Sequence, residues 1–142
     1  MVELGEKLVS DIDSGKNPEI EVTVRTLANV IFDEKTKTLT LGEKTAKRHF
    51  FDVGHIRKFV QTLKVAEKSK ELLEGSKHAS LRDVFYMVKR TIPNTKINIV
   101  DEQSESDNAI EDLELITGHS REELNINANK MGSVAGRVVV ED

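Results

Sequence analysis

The sequence predicts an α+β fold, and three observations predict it. Apolar residues recur at the three- and four-residue spacing of buried helix faces in several separate windows. Short runs with alternating apolar residues lie ahead of the longest such window and again near the end of the chain. Glycine, proline and polar clusters fall between the two kinds of pattern, where turns belong.

From the start, residues 2–13 carry Val2, Leu4, Leu8, Val9 and Ile12 on roughly one helical stripe, with Gly15 as a stop. EIEVTVRT alternates Ile20, Val22 and Val24 and reads as a strand. NVIFDEKTKTLTL reads as a hairpin turning at Asp33 to Thr36, and the charged GEKTAKR stretch after it reads as a linker. Residues 1–50 are therefore expected to form a helix-and-hairpin appendage.

From His55 to Glu74 the pattern turns helical, with Ile56, Phe59, Val60, Leu63 and Ala66 on one stripe and Gly75 at its end. After GSKHA, Ser80 is a natural N-cap and Asp83 completes a capping box. The helix it starts gathers Leu81, Val84, Phe85, Val88 and Ile92 on its core side and is expected to stop at Pro93. An acidic helix around Ile110 to Ile116 follows, then a turn capped by Ser120 and Glu123. The tail LNINANKMGSVAGRVVV alternates, breaks at Gly132 and Gly136, and alternates again, as a hairpin would. Two helices joined by a short loop and followed by a hairpin give the order of a winged helix. Residues 51–142 are accordingly expected to be a winged-helix domain, its helix-turn-helix completed by a β-hairpin wing. The chain stops at VVVED, in an apolar strand-like run, so a fragment of a longer protein is expected.

The chain has no cysteine, which excludes disulfides, thiolate metal sites and a cysteine nucleophile. Its first residues lack a secretory signal, and no apolar run approaches the roughly 18 to 20 residues needed to cross a bilayer. The expectation is a cytoplasmic protein with no membrane contact. The net charge of −4 hides an asymmetry: residues 43–98 hold 13 Lys/Arg against 6 Asp/Glu, whereas residues 101–116 hold seven acids and no base. A basic middle is compatible with a polyanionic partner despite the acidic total. Neither His49 nor His55 has the spacing of a zinc pair, and GSVAG lacks the spacing and lysine of a phosphate loop, so no metal site is expected within the chain.

HASLRDVFYMVKR holds the only tyrosine. On a helical wheel Tyr86 falls off the core stripe and into the sector of Arg82, Lys89 and Arg90. Three readings remain open from spacing alone. The ring packs half-buried against the preceding helix; or it donates a hydrogen bond to a DNA phosphate; or it is a nucleophile that attacks a phosphodiester. A phenol, with an ordinary pKa of about 10, is scarcely ionised at neutral pH. Attack therefore needs help, and neighbouring cations favour the phenolate and the charge building on a phosphate.

Four blocks in order, KFVQTLKVAEKSKELLEG, SLRDVFYMVKRTIPNTKIN, DEQSESDNAIEDLELITG and REELNINANKMGSVAG, closely resemble the A subunits of the topoisomerase VI family, the type IIB DNA topoisomerases. The meiotic double-strand-break transesterase is a more distant relative. The likeness runs from about Phe59 to Gly136, and more loosely through RTLANVIFDE. The resemblance implies a heterotetramer of two A and two B subunits that works on double-stranded DNA in the cytoplasm, nucleoid-associated, with ATP bound by the B subunit. It implies that Tyr86 attacks DNA and becomes joined to a 5′ phosphate, with Arg82 as the arginine four residues before the nucleophile. It also implies Mg²⁺ held by a toprim domain C-terminal to the winged helix. This chain is expected to end before any toprim domain and to be inactive alone. Lys77, His78, Lys89 and Arg90 are the expected DNA contacts around Tyr86, with Lys130 and Arg137 beside the wing turn. The alternative is a winged-helix regulator that binds DNA without chemistry.

Overall fold

The computed structural model describes residues 2–128. Helix α1 (Val2–Asp13) leads to β1 (Glu19–Thr23), a short 3-10 turn (Leu27–Asn29), β2 (Val30–Asp33), β3 (Thr38–Leu41) and β4 (Thr45–His49). Then come α2 (Ile56–Glu74), β5 (Ala79–Ser80), α3 (Leu81–Val88), α4 (Gln103–Thr117) and β6 (Ile126–Asn127). The result is an α+β, winged-helix-like arrangement. Of the stretch expected to form the wing hairpin, the described residues include β6, which pairs in parallel with β5 through Ala79↔Ile126 and Ser80↔Asn127. The expected hairpin itself falls on residues outside those described.

The main core lies between α2, α3 and α4. Val65, Val84, Val88, Val100, Ile110, Leu113 and Ile126 are all sealed from solvent there. A second cluster joins the N-terminal elements to the helices: Leu8, Ile20 and Val22 pack on Phe59 of α2, with Leu115 and Ile116 of α4 alongside. Strand β1 owes its pattern to this contact, since its inward residues Ile20 and Val22 are buried while Glu21 between them is exposed. The β2–β3 hairpin forms as expected, pairing Val30↔Leu41 to Asp33↔Thr38, but its turn is Glu34 to Lys37, one residue later than the Asp33 to Thr36 turn read from the sequence.

Three expectations need correcting. The GEKTAKR stretch is no linker: Thr45–His49 is strand β4, antiparallel to β1 from Glu19↔His49 to Thr23↔Thr45. It escapes the apolar alternation because its half-buried Arg48 is held by the Asp112 carboxylate on α4, 64 residues along the chain. Buried Asn29 fixes the entry to β4. Its amide nitrogen donates to the carbonyls of Val24, Gly42 and Lys44, and its oxygen accepts from the Lys44 N–H. A side chain at Gly42 would meet Asn29 Oδ1 at 2.6 Å, so only glycine allows this close approach.

Helix α2 buries a wider face than the stripe expected: Phe59 and Ala66 are buried and Val60 and Leu63 pack against the two clusters, but the stripe does not mark the limits of the buried side. Ile56 stays 37% exposed, while Gln61, Thr62 and Ser69 are buried. These polar side chains are satisfied, as burial demands: Gln61 Nε2 donates to the Ile99 carbonyl at 2.7 Å, Thr62 to Lys58 at 2.9 Å and Ser69 to Leu124 at 3.0 Å. Helix α3, finally, stops at Val88 and not at Pro93. Ile92 precedes a proline and is pushed towards extended backbone, and the β-branched Thr91 and Ile92 favour the same state. Residues 90–99 form a small hairpin instead. Ile99 N donates to the Arg90 carbonyl at 2.9 Å and Ile92 N to the Ile97 carbonyl at 2.8 Å. Asn94, with φ of +62°, takes the left-handed turn position that asparagine tolerates.

Candidate active site

The site is built on α3, and its first turn is set by the capping box. Asp83 N donates to Ser80 Oγ at 3.2 Å and Ser80 N donates back to Asp83 Oδ2 at 3.0 Å, which fixes where this eight-residue helix begins. Val84, Phe85 and Val88 then face the core. With those positions turned inward, helical geometry turns Arg82 and Tyr86 outward, one above the other four residues apart.

Tyr86 is 56% exposed, whereas its neighbour Phe85 is 8% exposed. The two rings lie 5.1 Å apart at a tilt of 54°, so the buried phenylalanine braces the exposed phenol. Arg82 Nη2 sits 3.5 Å from the Tyr86 hydroxyl oxygen, and its guanidinium carbon lies 5.9 Å from the ring centroid. The hydrogen bond to the Tyr86 oxygen, and then its Coulombic attraction, raise the already high Arg82 pKa, so this cation is permanent. At 3.5 Å the contact is long and solvent-facing.

The other cations arrange themselves differently from the helical wheel. Lys89 caps the end of α3, and its Nζ lies over the Phe85 ring at 5.0 Å, not against the phenol. Arg90 is exposed and already part of the hairpin that follows. Lys77 and His78 are exposed in the turn ahead of β5, where Ser76 takes a φ of +48°. Lys130 and Arg137 lie outside the described residues. The hairpin after α3, with exposed Lys96 and Ile97, was not among the sequence candidates. The signal for it was available: no acid interrupts the chain from Lys89 to Val100.

Most of the acids from Asp101 to Glu114 are paired with arginines. Asp101 and Glu105 take Arg57, at 2.6 and 3.1 Å. Asp112, its side chain 5% exposed, takes both Arg25 and Arg48, and Glu111 also takes Arg25. Glu114 takes Arg121 at 2.8 Å. These pairings leave the block unsuited to magnesium, whose oxygen donors would have to surrender arginine partners. Among the described residues no group of three or more His, Asp or Glu is placed to hold a metal ion. No helix among them is long and apolar enough to cross a membrane.

Known proteins resemble this chain in sequence. The sequence model of the family described as Type IIB DNA topoisomerase matches residues 57–126, a span that takes in nearly all of α2 and the whole of α3 and α4. The A subunit of type 2 DNA topoisomerase 6 from Pyrococcus abyssi is 45% identical over 140 residues, 99% of this chain and 37% of that protein. The chain belongs to the type IIB DNA topoisomerase family. The proteins of the same name from Hyperthermus butylicus and Methanocaldococcus jannaschii are 40% and 35% identical, over 93% and 94% of this chain and 36% and 35% of theirs. The chain thus spans little more than a third of the topoisomerase proteins it matches. The matched span carries both Tyr86 and Arg82.

Proposed function

We propose that this chain supplies the DNA-cleaving half-site of a type IIB topoisomerase A subunit, with Tyr86 as nucleophile and Arg82 beside it. The observation that carries the reading is the exposed phenol with a permanent guanidinium at its oxygen. The Tyr86 oxygen forms a bond to a backbone phosphorus, and the bond from that phosphorus to the 3′ oxygen breaks. The DNA strand leaves with a 3′ hydroxyl, whose proton replaces the one the phenol gives up. The other strand end stays on the protein as a 5′ phosphotyrosyl ester. Arg82 holds the non-bridging oxygens and stabilises the negative charge gathered on them. One phosphodiester replaces another, so resealing is the same step reversed and needs no external energy.

Two further requirements follow from the family reading. Mg²⁺ would be held by a toprim domain beyond this chain and supply charge neutralisation at the phosphate; none of the steps above runs through this chain's own acids. ATP would bind a B subunit and drive strand passage, while a second A subunit completes the pair of half-sites across a duplex. Residues 1–50 offer a surface for the B subunit, since α1 leaves Val2, Val9 and Ile12 exposed. The unit boundary near residue 50 and a nucleoid-associated, cytoplasmic location belong to the same proposal.

The test separates chemistry from binding. In the full-length A subunit with its B subunit, Tyr86→Phe should abolish covalent protein–DNA adducts while leaving duplex affinity nearly intact. Adducts that survive the substitution remove Tyr86 from the role, whereas a full-length complex that binds duplex but forms no adducts even with Tyr86 intact favours the alternative of a DNA-binding regulator without chemistry.

A further inference from the structure

We propose that the hairpin of residues 90–99 is a second DNA-contacting element, with Lys96 on a backbone phosphate and Ile97 against a groove wall. The inference rests on the DNA reading of the Tyr86 site and assigns that site an additional contact surface. Four observations support it.

The first is position. The hairpin starts two residues past the end of α3, and its base is locked to the core through Ile99 and Val100, which are 9% and 0% exposed. Ile92 packs on the same cluster. The second is rigidity. Thr91 Oγ1 donates to Asn98 Oδ1 at 2.9 Å, Thr95 Oγ1 donates to the Ile92 carbonyl at 2.8 Å, and Ile97 N donates to Thr95 Oγ1 at 3.1 Å. A tip held this firmly loses little conformational freedom on binding.

The third is charge. From Lys89 to Val100 there are three cations and no acid. The nearest acid along the chain, Asp101, is engaged by Arg57 at 2.6 Å and by the Asn98 amide at 3.0 Å. Of the six arginines among the described residues, Arg25, Arg48, Arg57 and Arg121 are paired with carboxylates, and Arg82 faces Tyr86. Arg90 alone has no such partner among the described residues, and Lys96 has none either. The fourth is Ile97, left 56% exposed at the end of a segment whose other isoleucines are packed inward. A rigid cationic hairpin that displays one aliphatic side chain has the chemistry of a groove contact, in which cations take phosphates and an apolar group meets the base edges.

The experiment measures binding of the chain to a fluorescein-labelled duplex by anisotropy, across about 50 to 200 mM salt. Lys96→Ala should lower the slope of log affinity against log salt by about 0.9, as expected when one phosphate is no longer neutralised. Ile97→Ser should weaken binding several-fold with the slope unchanged. Lys37→Ala, at the turn of the β2–β3 hairpin, is the control and should leave both quantities alone. Circular dichroism checks that each exposed-site variant is folded. If Lys96→Ala and Ile97→Ser both match the control while Arg82→Ala lowers the slope, the hairpin proposal is overturned and the DNA reading stands. If the chain binds no duplex, or if Arg82→Ala and Arg90→Ala also match the control, the DNA reading falls and takes this proposal with it.

Discussion

Replacing Asp112 by asparagine should loosen the hold of the N-terminal elements on the helices that carry Tyr86. The carboxylate is 5% exposed and receives Arg48 from β4 and Arg25 from the loop after β1, the latter at 3.2 Å. Removing one partner of a buried pair costs about 3–5 kcal/mol when the remaining charge stays buried. Here the remaining guanidiniums are less confined: the Arg48 side chain is 19% exposed and that of Arg25 29%, and Arg25 keeps Glu111. A cost of about 2–3 kcal/mol is therefore expected, since both cations can recover some water. For a chain of this length that corresponds to a fall in Tm of about 8–12 °C. Thermal and urea denaturation measure the total. Hydrogen exchange locates it: amides of β1 and β4 should exchange faster, while those of α3 keep their protection. A double-mutant cycle with Arg48→Ala should return a coupling of about 2 kcal/mol. A loss below about 0.5 kcal/mol would put the interaction in the range of exposed ion pairs and refute the clamp.

Two further outcomes are expected. Ser80→Ala should cost about 1 kcal/mol, because α3 has only eight residues and its capping box fixes its first turn; denaturant titration checks the loss. Stability should also fall in acid: for Glu105, burial pushes the pKa up but is outweighed by the N–H groups of Asp101 and Glu102, the Gln61 amide and the Arg57 charge, which hold it below the ordinary value. Asp101 is held down by Arg57 and Asn98. A carboxyl depressed on folding contributes stability that is complete above its unfolded pKa and is lost as pH falls through the folded one, so Tm should drop below about pH 4. Asp107, raised by burial, opposes this but stands against a larger group of depressed carboxyls. A Tm that holds or rises between about pH 5 and pH 3 would contradict that balance.

Features that depend on local pattern were legible in the sequence. The stop of α1 at Gly15, the alternation of Ile20 and Val22, the existence of the β2–β3 hairpin and the Ser80 capping box each follow from neighbours within a few positions. So did the outward turn of Tyr86, because Val84, Phe85 and Val88 define the inward side so strongly. What was hidden depends on distant partners. Strand β4 carries an arginine where an apolar residue would announce a strand, and its partner Asp112 lies on α4. Helix α2 buries Gln61 and Ser69 because Ile99 and Leu124 offer their carbonyls. The early end of α3 was partly visible: Pro93 marks the latest stop, but the Ile92–Ile97 turn moves it upstream to Val88.

That distribution of partners also explains how an acidic chain can present a cationic site. Five of the seven acids from Asp101 to Glu114 are tied to Arg57, Arg25, Arg48 or Arg121. Their charge is neutralised at short range, and beyond about 8–10 Å little of it survives physiological salt. The cations at Arg82, Arg90 and Lys96 have no carboxylate ion pair of this kind among the described residues, so their charge is not cancelled at short range despite the net charge of −4. The consequence for binding is specific. Salt should weaken duplex association steeply, through the phosphates these side chains neutralise, while charge reversal at Glu111 or Glu114 should leave the salt slope unchanged.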